Sequence, residues 1–375
     1  KSIAMAYHKI HVDSLEKNTI HLANGIYSDT TNDEKFPLNI RPFINVEGQS
    51  RDGVILDGNR NIYPLRGNNN ISDYSFSRMT LQGGRIPDYG SWEIKPMLAY
   101  LYTGNDRFVL DSIVFRDSFS KVAGILEYGR ADSSFVKNCE FTNNTGGIAL
   151  GTSPGSIQFV DNTIFHKQNP DTNVIGNYHP LGTAARVYGH GKDVWRNCLF
   201  TDNHYITFQR SYYGGTSYLV NCTFNNNSVH EDVPVINLGD GNISMYNCIL
   251  TNNHELGFRI QVGEWQQQDH SHLNIYNSLI EGGENEIEYG FCEHSDTIWC
   301  HVHYDSTNID ADPDFLNMWD HPYMIADGSP CIDAGTLANL PDFIEIPEFD
   351  LAGNPRIVGD SIDMGAYEWN PTIVG

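Results

Sequence analysis

The sequence predicts an all-β right-handed parallel β-helix, single-stranded, with three parallel sheets and a short N-terminal capping helix. Three observations predict it: an Asn-led segment recurs along the chain, its strands alternate with period two, and turn-forming residues are abundant, with 34 Gly among 375 residues. A chain of this length normally splits into several cores. A solenoid escapes that limit because each repeat packs only on its neighbours. The expectation is therefore one domain over 1–375, with 1–13 closing the N-terminal end, 14–310 forming coils and 311–375 closing the C-terminal end.

The elements follow in chain order. Residues 2–12 carry Ile3, Ala4, Met5, Tyr7, Ile10 and Val12, an apolar stripe suited to an amphipathic helix over the first coil. That coil opens with Ile20-His21-Leu22 and Asn24-Gly25-Ile26-Tyr27. The repeat is clearest at Asn138-Cys139-Glu140-Phe141, Asn162-Thr163-Ile164-Phe165, Asn197-Cys198-Leu199-Phe200, Asn221-Cys222-Thr223-Phe224, Asn247-Cys248-Ile249-Leu250 and Asn277-Ser278-Leu279-Ile280. Asp111-Ser112-Ile113-Val114-Phe115 and Ser77-Arg78-Met79-Thr80-Leu81 fit more loosely. The Asn-to-Asn steps are 24, 35, 24, 26 and 30 residues, one coil of three short strands with loops of varying size. Alternation points Phe135, Cys139 and Phe141 inward and Lys137 and Glu140 outward. Stacked coils repeat every ~4.8 Å, so the Asn column is expected to hydrogen-bond from coil to coil as a ladder, with the Cys column as buried thiols beside it.

The formal charge of −24 excludes nucleic acid and anionic membranes as partners. It fits a soluble protein outside the cell, expected here as a monomer, and makes Ca²⁺ a candidate ligand, since no other cofactor is indicated. No run approaches the ~20 apolar residues of a membrane span. Of seven Cys, Cys292 and Cys300 flank a short polar loop and could form a disulfide; no zinc-type His/Cys spacing appears.

Two regions resemble known families. Gly25-Ile26-Tyr27, Phe36-Pro37-Leu38-Asn39-Ile40, Ile44-Asn45-Val46-Glu47-Gly48 and Val54-Ile55-Leu56-Asp57-Gly58 resemble the opening module of pectin-lyase-like parallel β-helix proteins. Asp327-Gly328-Ser329-Pro330-Cys331-Ile332-Asp333-Ala334-Gly335, Asp350-Leu351-Ala352-Gly353-Asn354-Pro355-Arg356 and Ile362-Asp363-Met364-Gly365-Ala366-Tyr367-Glu368 are similar to the closing segment of bacterial cell-surface β-helix proteins of the choice-of-anchor type. This resemblance implies a secreted or surface-attached chain. Asp333, Asp350, Arg356, Asp363 and Glu368 read as a structural cap rather than a catalytic cluster.

The resemblance also implies that chemistry would sit on the outer face of the sheet that precedes the Asn bends. Its strands are expected at 125–128, 147–150, 185–188, 206–209, 235–238 and 258–262, with Glu127, Arg186, Tyr188, Gln209, Asn237, Arg259 and Gln261 facing out. Nearby turns add His190, Lys192, Arg210, Tyr212, Tyr213 and Trp265, and the loop 167–183 adds Tyr178 and His179. Aromatic faces, Arg and amides suit a sugar chain, including an anionic one. If the chain cleaves, uronate elimination needs a cation at the carboxylate and a base for the α-proton: Arg186 or Arg259 for the first, and Lys192, His190, His179 or Tyr188 as base or acid. Glu127, Gln209, Arg210, Tyr212, Tyr213, Asn237, Gln261 and Trp265 would hold substrate. Hydrolysis is disfavoured. Gly189-His190-Gly191 resembles one polygalacturonase motif, but that family's paired-Asp motifs are missing. The functional expectation is an extracellular protein that binds or processes polysaccharide, as a lyase if an enzyme. The alternative is a non-catalytic surface adhesion or structural module.

Overall fold

The computed structural model describes residues 2–67, 73–85, 99–102, 107–119, 124–129, 133–153, 155–169, 182–211, 214–227, 234–253, 260–262, 271–289, 300–318 and 321–372. The fold is an all-β parallel solenoid with three parallel sheets, and one short α-helix among the described residues. The chain divides into two compact units, residues 1–158 with 164–191, and residues 159–163 with 192–375.

In the first unit, in-register inward columns build the core. Ile20, Val46, Phe76, Leu110 and Val136 follow one another across the first sheet, and all are buried. Leu56, Leu81, Phe115, Phe141 and Phe165 do so across the second. Phe141 stacks on Phe115 at 4.6 Å and on Phe165 at 4.8 Å, nearly parallel in both cases. Those distances match the strand spacing itself, so identical residues one coil apart stack without adjustment. The helix Ile3–Lys9 buries Ile3 and Tyr7, one turn apart. Ser2 caps it, and the buried Glu34 carboxylate accepts from the N–H groups of Ile3 at 2.6 Å and Ala4 at 3.0 Å. Arg41 donates to the carbonyls of Tyr7 and Ile10 at the other end. An anion at the N-terminus and a cation at the C-terminus satisfy orphan backbone groups and oppose the helix dipole.

The six repeat Asn residues, Asn138, Asn162, Asn197, Asn221, Asn247 and Asn277, all have φ between 44° and 54°. Arg78 and Ser112, from the looser repeats, share that left-handed conformation. Asn tolerates it better than most residues, which explains its choice at the bend. The expected ladder, however, is only partly formed by this column. Asn197 donates to Asn162 at 3.0 Å, but Asn221 donates to the Asp363 carbonyl and Asn247 exchanges two hydrogen bonds with the Thr336 backbone. The continuous amide ladder of the second unit lies at the next bend. There Asn203 donates to Asn227 at 2.9 Å and Asn227 to Asn253 at 2.8 Å, all three fully buried. The bend residues just before them, Asp202, Asn226 and Asn252, take the positive φ. The ladder residue thereby turns into the coil, where amides must bond to one another. Cys139, Cys198, Cys222 and Cys248 are free and buried, as expected. Their thiols point at main-chain carbonyls; Cys198, for example, lies 3.3 Å from the Val160 oxygen. Cys300 is disulfide-bonded, and Cys292 lies outside the described residues.

The closing segment departs from expectation. Rather than only finishing the last coil, it runs along the outer face of the second sheet of the second unit. Leu199, Thr223, Ile249 and Leu279 point away from the coil interior yet are buried. Ile249 and Leu279 cluster with Ile325, Cys331 and Met364, and Thr223 Oγ1 accepts from the Ala366 N–H at 2.9 Å. The physical reason is visible in composition: Leu199, Ile249 and Leu279 are apolar at outward positions and need cover.

Candidate functional site

The third sheet carries the outward positions expected to meet a ligand. Its strands in the first unit include Gly124–Gly129, Ile148–Ser153 and Thr183–Tyr188. Leu126, Leu150 and Ala185 face inward in register, which places Glu127, Gly151 and Arg186 side by side on the outer face. Gly151 leaves the step between the two charges without a side chain. A Cβ added there would meet Glu127 Cγ at 3.5 Å, ordinary contact, so the gap is shape rather than necessity. The Arg186 guanidinium lies 4.7 Å from the centre of the Tyr188 ring. Both side chains are half-buried, and His190 is exposed at the turn beyond them. Tyr188 thus holds a cation on a sheet face, a cation–π contact that also limits the rotamers of Arg186.

In the second unit the third sheet runs through Phe208–Ser211, Ile236–Leu238, Ile260–Val262 and Ile287–Tyr289. Gln209, Asn237, Gln261 and Glu288 form its outward row. Asn237 donates to Gln261 Oε1 at 3.3 Å, and its side-chain Oδ1 is buried with no hydrogen-bond partner among the described residues. Gln209 is only 6% exposed and Asn237 4%, so this half of the row is covered, while Gln261 is half-buried and Glu288 exposed.

Arg210 is a correction. It was expected among the surface substrate-binding residues, but the strand alternates Phe208 in, Gln209 out, Arg210 in, and Arg210 shares the inward column of Leu238 and Val262. Its guanidinium is buried and donates to Asp193 Oδ2 at 2.7 Å, Ser217 Oγ at 2.9 Å and the Gly214 carbonyl at 2.9 Å. Trp195 Nε1 donates to the other Asp193 oxygen at 2.6 Å. Burial pushes the Asp193 carboxyl upward, while Arg210 and these donors pull it down. This is a core ion pair. The sequence signal for it was two charges, Asp193 and Arg210, both at inward positions of neighbouring strands.

Lys192 is a second correction. It belongs to the first-sheet strand Lys192–Arg196, and its ammonium sits 4.6 Å from the ring centre of Phe343, in the closing segment. It is engaged there and not in the third-sheet row. Tyr212, Tyr213, Arg259 and Trp265 lie outside the described residues, as do Tyr178 and His179. Among the described residues no group of three or more His, Cys, Asp or Glu is placed to hold a metal ion. No described helix is long and apolar enough to cross a membrane.

No family model matches the chain, and no curated protein matches it. Among solved structures, it is similar to the crystal structure of pectate lyase Pel9A, at a TM-score of 0.49 and 12% identity over 95% of this chain and 97% of that one. It is also similar to the A-module of the Azotobacter vinelandii mannuronan C-5 epimerase AlgE4, at a TM-score of 0.29 and 12% identity over 78% of this chain and 91% of that one.

Proposed function

We propose that the chain binds an anionic polysaccharide on the outer face of the third sheet of its first unit. The observation that carries this reading is the outward Arg186 guanidinium held over the Tyr188 ring, beside the side-chain-free step at Gly151. A fixed guanidinium gives a carboxylate a bidentate partner, and the edge of the phenol ring adds apolar contact for a sugar face. On a chain of charge −24, such a local cation is what would hold an acidic glycan against general repulsion. Cys300 in a disulfide supports a place outside the cell.

A second reading, uronate elimination at the same patch, is favoured by the same pairing. Arg186 would neutralise the carboxylate, Tyr188 in its phenolate form would take the α-proton, and the glycosidic bond to the 4-oxygen would break to leave the unsaturated end. One experiment tests both. Polygalacturonate, alginate and a neutral glucan are titrated calorimetrically into wild type and Arg186→Ala, and each mixture is followed by ultraviolet absorbance for unsaturated ends. Binding expects an acidic polymer to bind wild type and to lose about tenfold or more in affinity with Arg186→Ala, one charge-assisted contact being worth ~1.5–3 kcal/mol. Absorbance that rises in wild type and not in the variant identifies a lyase. Equal affinity of both proteins for every polymer sinks the proposal.

A further inference from the structure

We infer that the closing segment of the second unit is a proton-linked strap: a buried carboxyl–guanidinium node holds it in the shape that docks on the outer face of the second sheet, and the strap is released as that node loses its last proton.

The strap lacks regular helix or strand, so its own backbone ladder does not hold it in place. Contacts with the sheet and ties within the strap do. Apolar residues Ile325, Cys331 and Met364 cover Ile249 and Leu279. Main-chain groups meet the bend asparagines Asn197, Asn221 and Asn247 through the carbonyls of Phe349, Asp363 and Thr336. The node ties the strap to itself. Arg356, Asp350, Asp363 and Glu368 are all buried. Arg356 Nη2 donates to the carbonyls of Asp363 at 2.9 Å and Gly365 at 2.8 Å and lies 3.8 Å from Glu368 Oε2. Asp350 accepts from the N–H groups of Ala352, Asn354 and Glu368, Asp363 from those of Asp333 and Trp369, and Glu368 from those of Val358 and Asp363. Each carboxyl therefore ties two stretches of the strap together.

The count of charges decides the rest. One guanidinium faces three buried carboxyls, so full ionisation leaves two uncompensated negative charges out of water. The least costly solution is to retain protons. Burial accordingly pushes Asp363 up to about 6 and Glu368 up to about 8. The other titratable groups around them are Asp333, which accepts from Asp360 and Ser361 N–H groups, Tyr367 and Tyr323, His321 against the Tyr367 ring, and the thiols of Cys222 and Cys331. Among the described groups facing Asp363 and Glu368, only Arg356 brings a permanent positive charge. Both carboxyls have raised values when docked, so their contribution is complete below their ordinary range of about 4 and is lost as pH rises through about 6 and then about 8.

Hydrogen exchange read by mass spectrometry on the full chain tests this, after correction for intrinsic exchange rates. Protection of 336–369 is expected to fall by up to tenfold per pH unit between pH 6 and 8, one proton being released per opening. Protection of the first-sheet strand Thr216–Val220 stays constant over the same range. Glu368→Gln keeps the acceptor without the charge and flattens the dependence between pH 6 and 8; Asp363→Asn, its companion should that variant fail to fold, reduces the further fall expected between about pH 4 and 6, where Asp363 holds its proton only in the docked strap. His321→Gln leaves the profile as in wild type. A strap whose protection is independent of pH, or one that keeps the wild-type profile in Glu368→Gln, overturns the inference. So does a loss of protection shared equally by Thr216–Val220, since that is global unfolding.

Discussion

The sharpest lesson at the scale of single residues is Arg210. Type and neighbourhood put it on a ligand-binding surface; the period-two count puts it inside, against Asp193. The pair is fully buried, and removing either partner strands a charge in the core. Asp193→Ala is therefore expected to cost about 3–5 kcal/mol, read as a lowered urea midpoint. The bend asparagines offer a gentler test. Asn227 donates to both Asn253 and the Phe200 carbonyl and accepts from Asn203, so Asn227→Ala leaves several buried groups unpaired. A loss of about 1–3 kcal/mol is expected. The repeat made the Asn column legible, because left-handed bends select Asn. Which of two neighbouring residues turns inward was not legible where both are asparagine, as at 226–227 and 252–253.

Among elements, the N-terminal helix and the closing strap stand at opposite ends of legibility. The stripe Ile3, Tyr7 identified the helix, but Glu34 and Arg41, which hold its two ends from 31 and 34 residues away, carry no local signal. The strap left one: Leu199, Ile249 and Leu279 occupy outward positions where a solvated sheet would carry polar side chains. Ile249→Ala should cost about 2–5 kcal/mol as a buried core substitution. It should also speed protease cutting within 336–349 while the circular-dichroism signal of the sheets is retained. Unchanged cutting would mean that the apolar contact does not hold the strap.

For the whole molecule, charge sets the response to pH. The chain carries −24, and each further ionisation adds repulsion. Asp363 and Glu368 lose their stabilising contribution as pH rises, as derived above. Glu140 works the other way. A hydrogen bond from His166 holds its carboxyl below the ordinary 4.5, so its contribution is present above that range and lost as pH falls through the lower folded value. Thermal unfolding across pH should therefore show greatest stability on the acid side of neutrality, with a decline above pH 6 that Glu368→Gln reduces. A melting temperature that rises from pH 6 to 9 would contradict this assignment. Polysaccharide affinity, if carried by Arg186, should weaken steeply with added salt, because a surface charge contact is screened within ~8–10 Å at ordinary ionic strength.

By itself, the sequence determined the coil. Period-two alternation, the Asn bends and the aromatic and thiol columns are local rules repeated at nearly fixed spacing, and a stacked solenoid needs little more because each contact is with the same position one turn away. Tertiary structure alone decided where the irregular segments go and which outward side chains are covered. The path of the strap across Ile249 and Leu279 and the pairing of Glu34 with a helix end join residues of unrelated sequence position. Such contacts follow from the shape of the folded surface and the need to pair buried charge, neither of which has a period that a sequence can display.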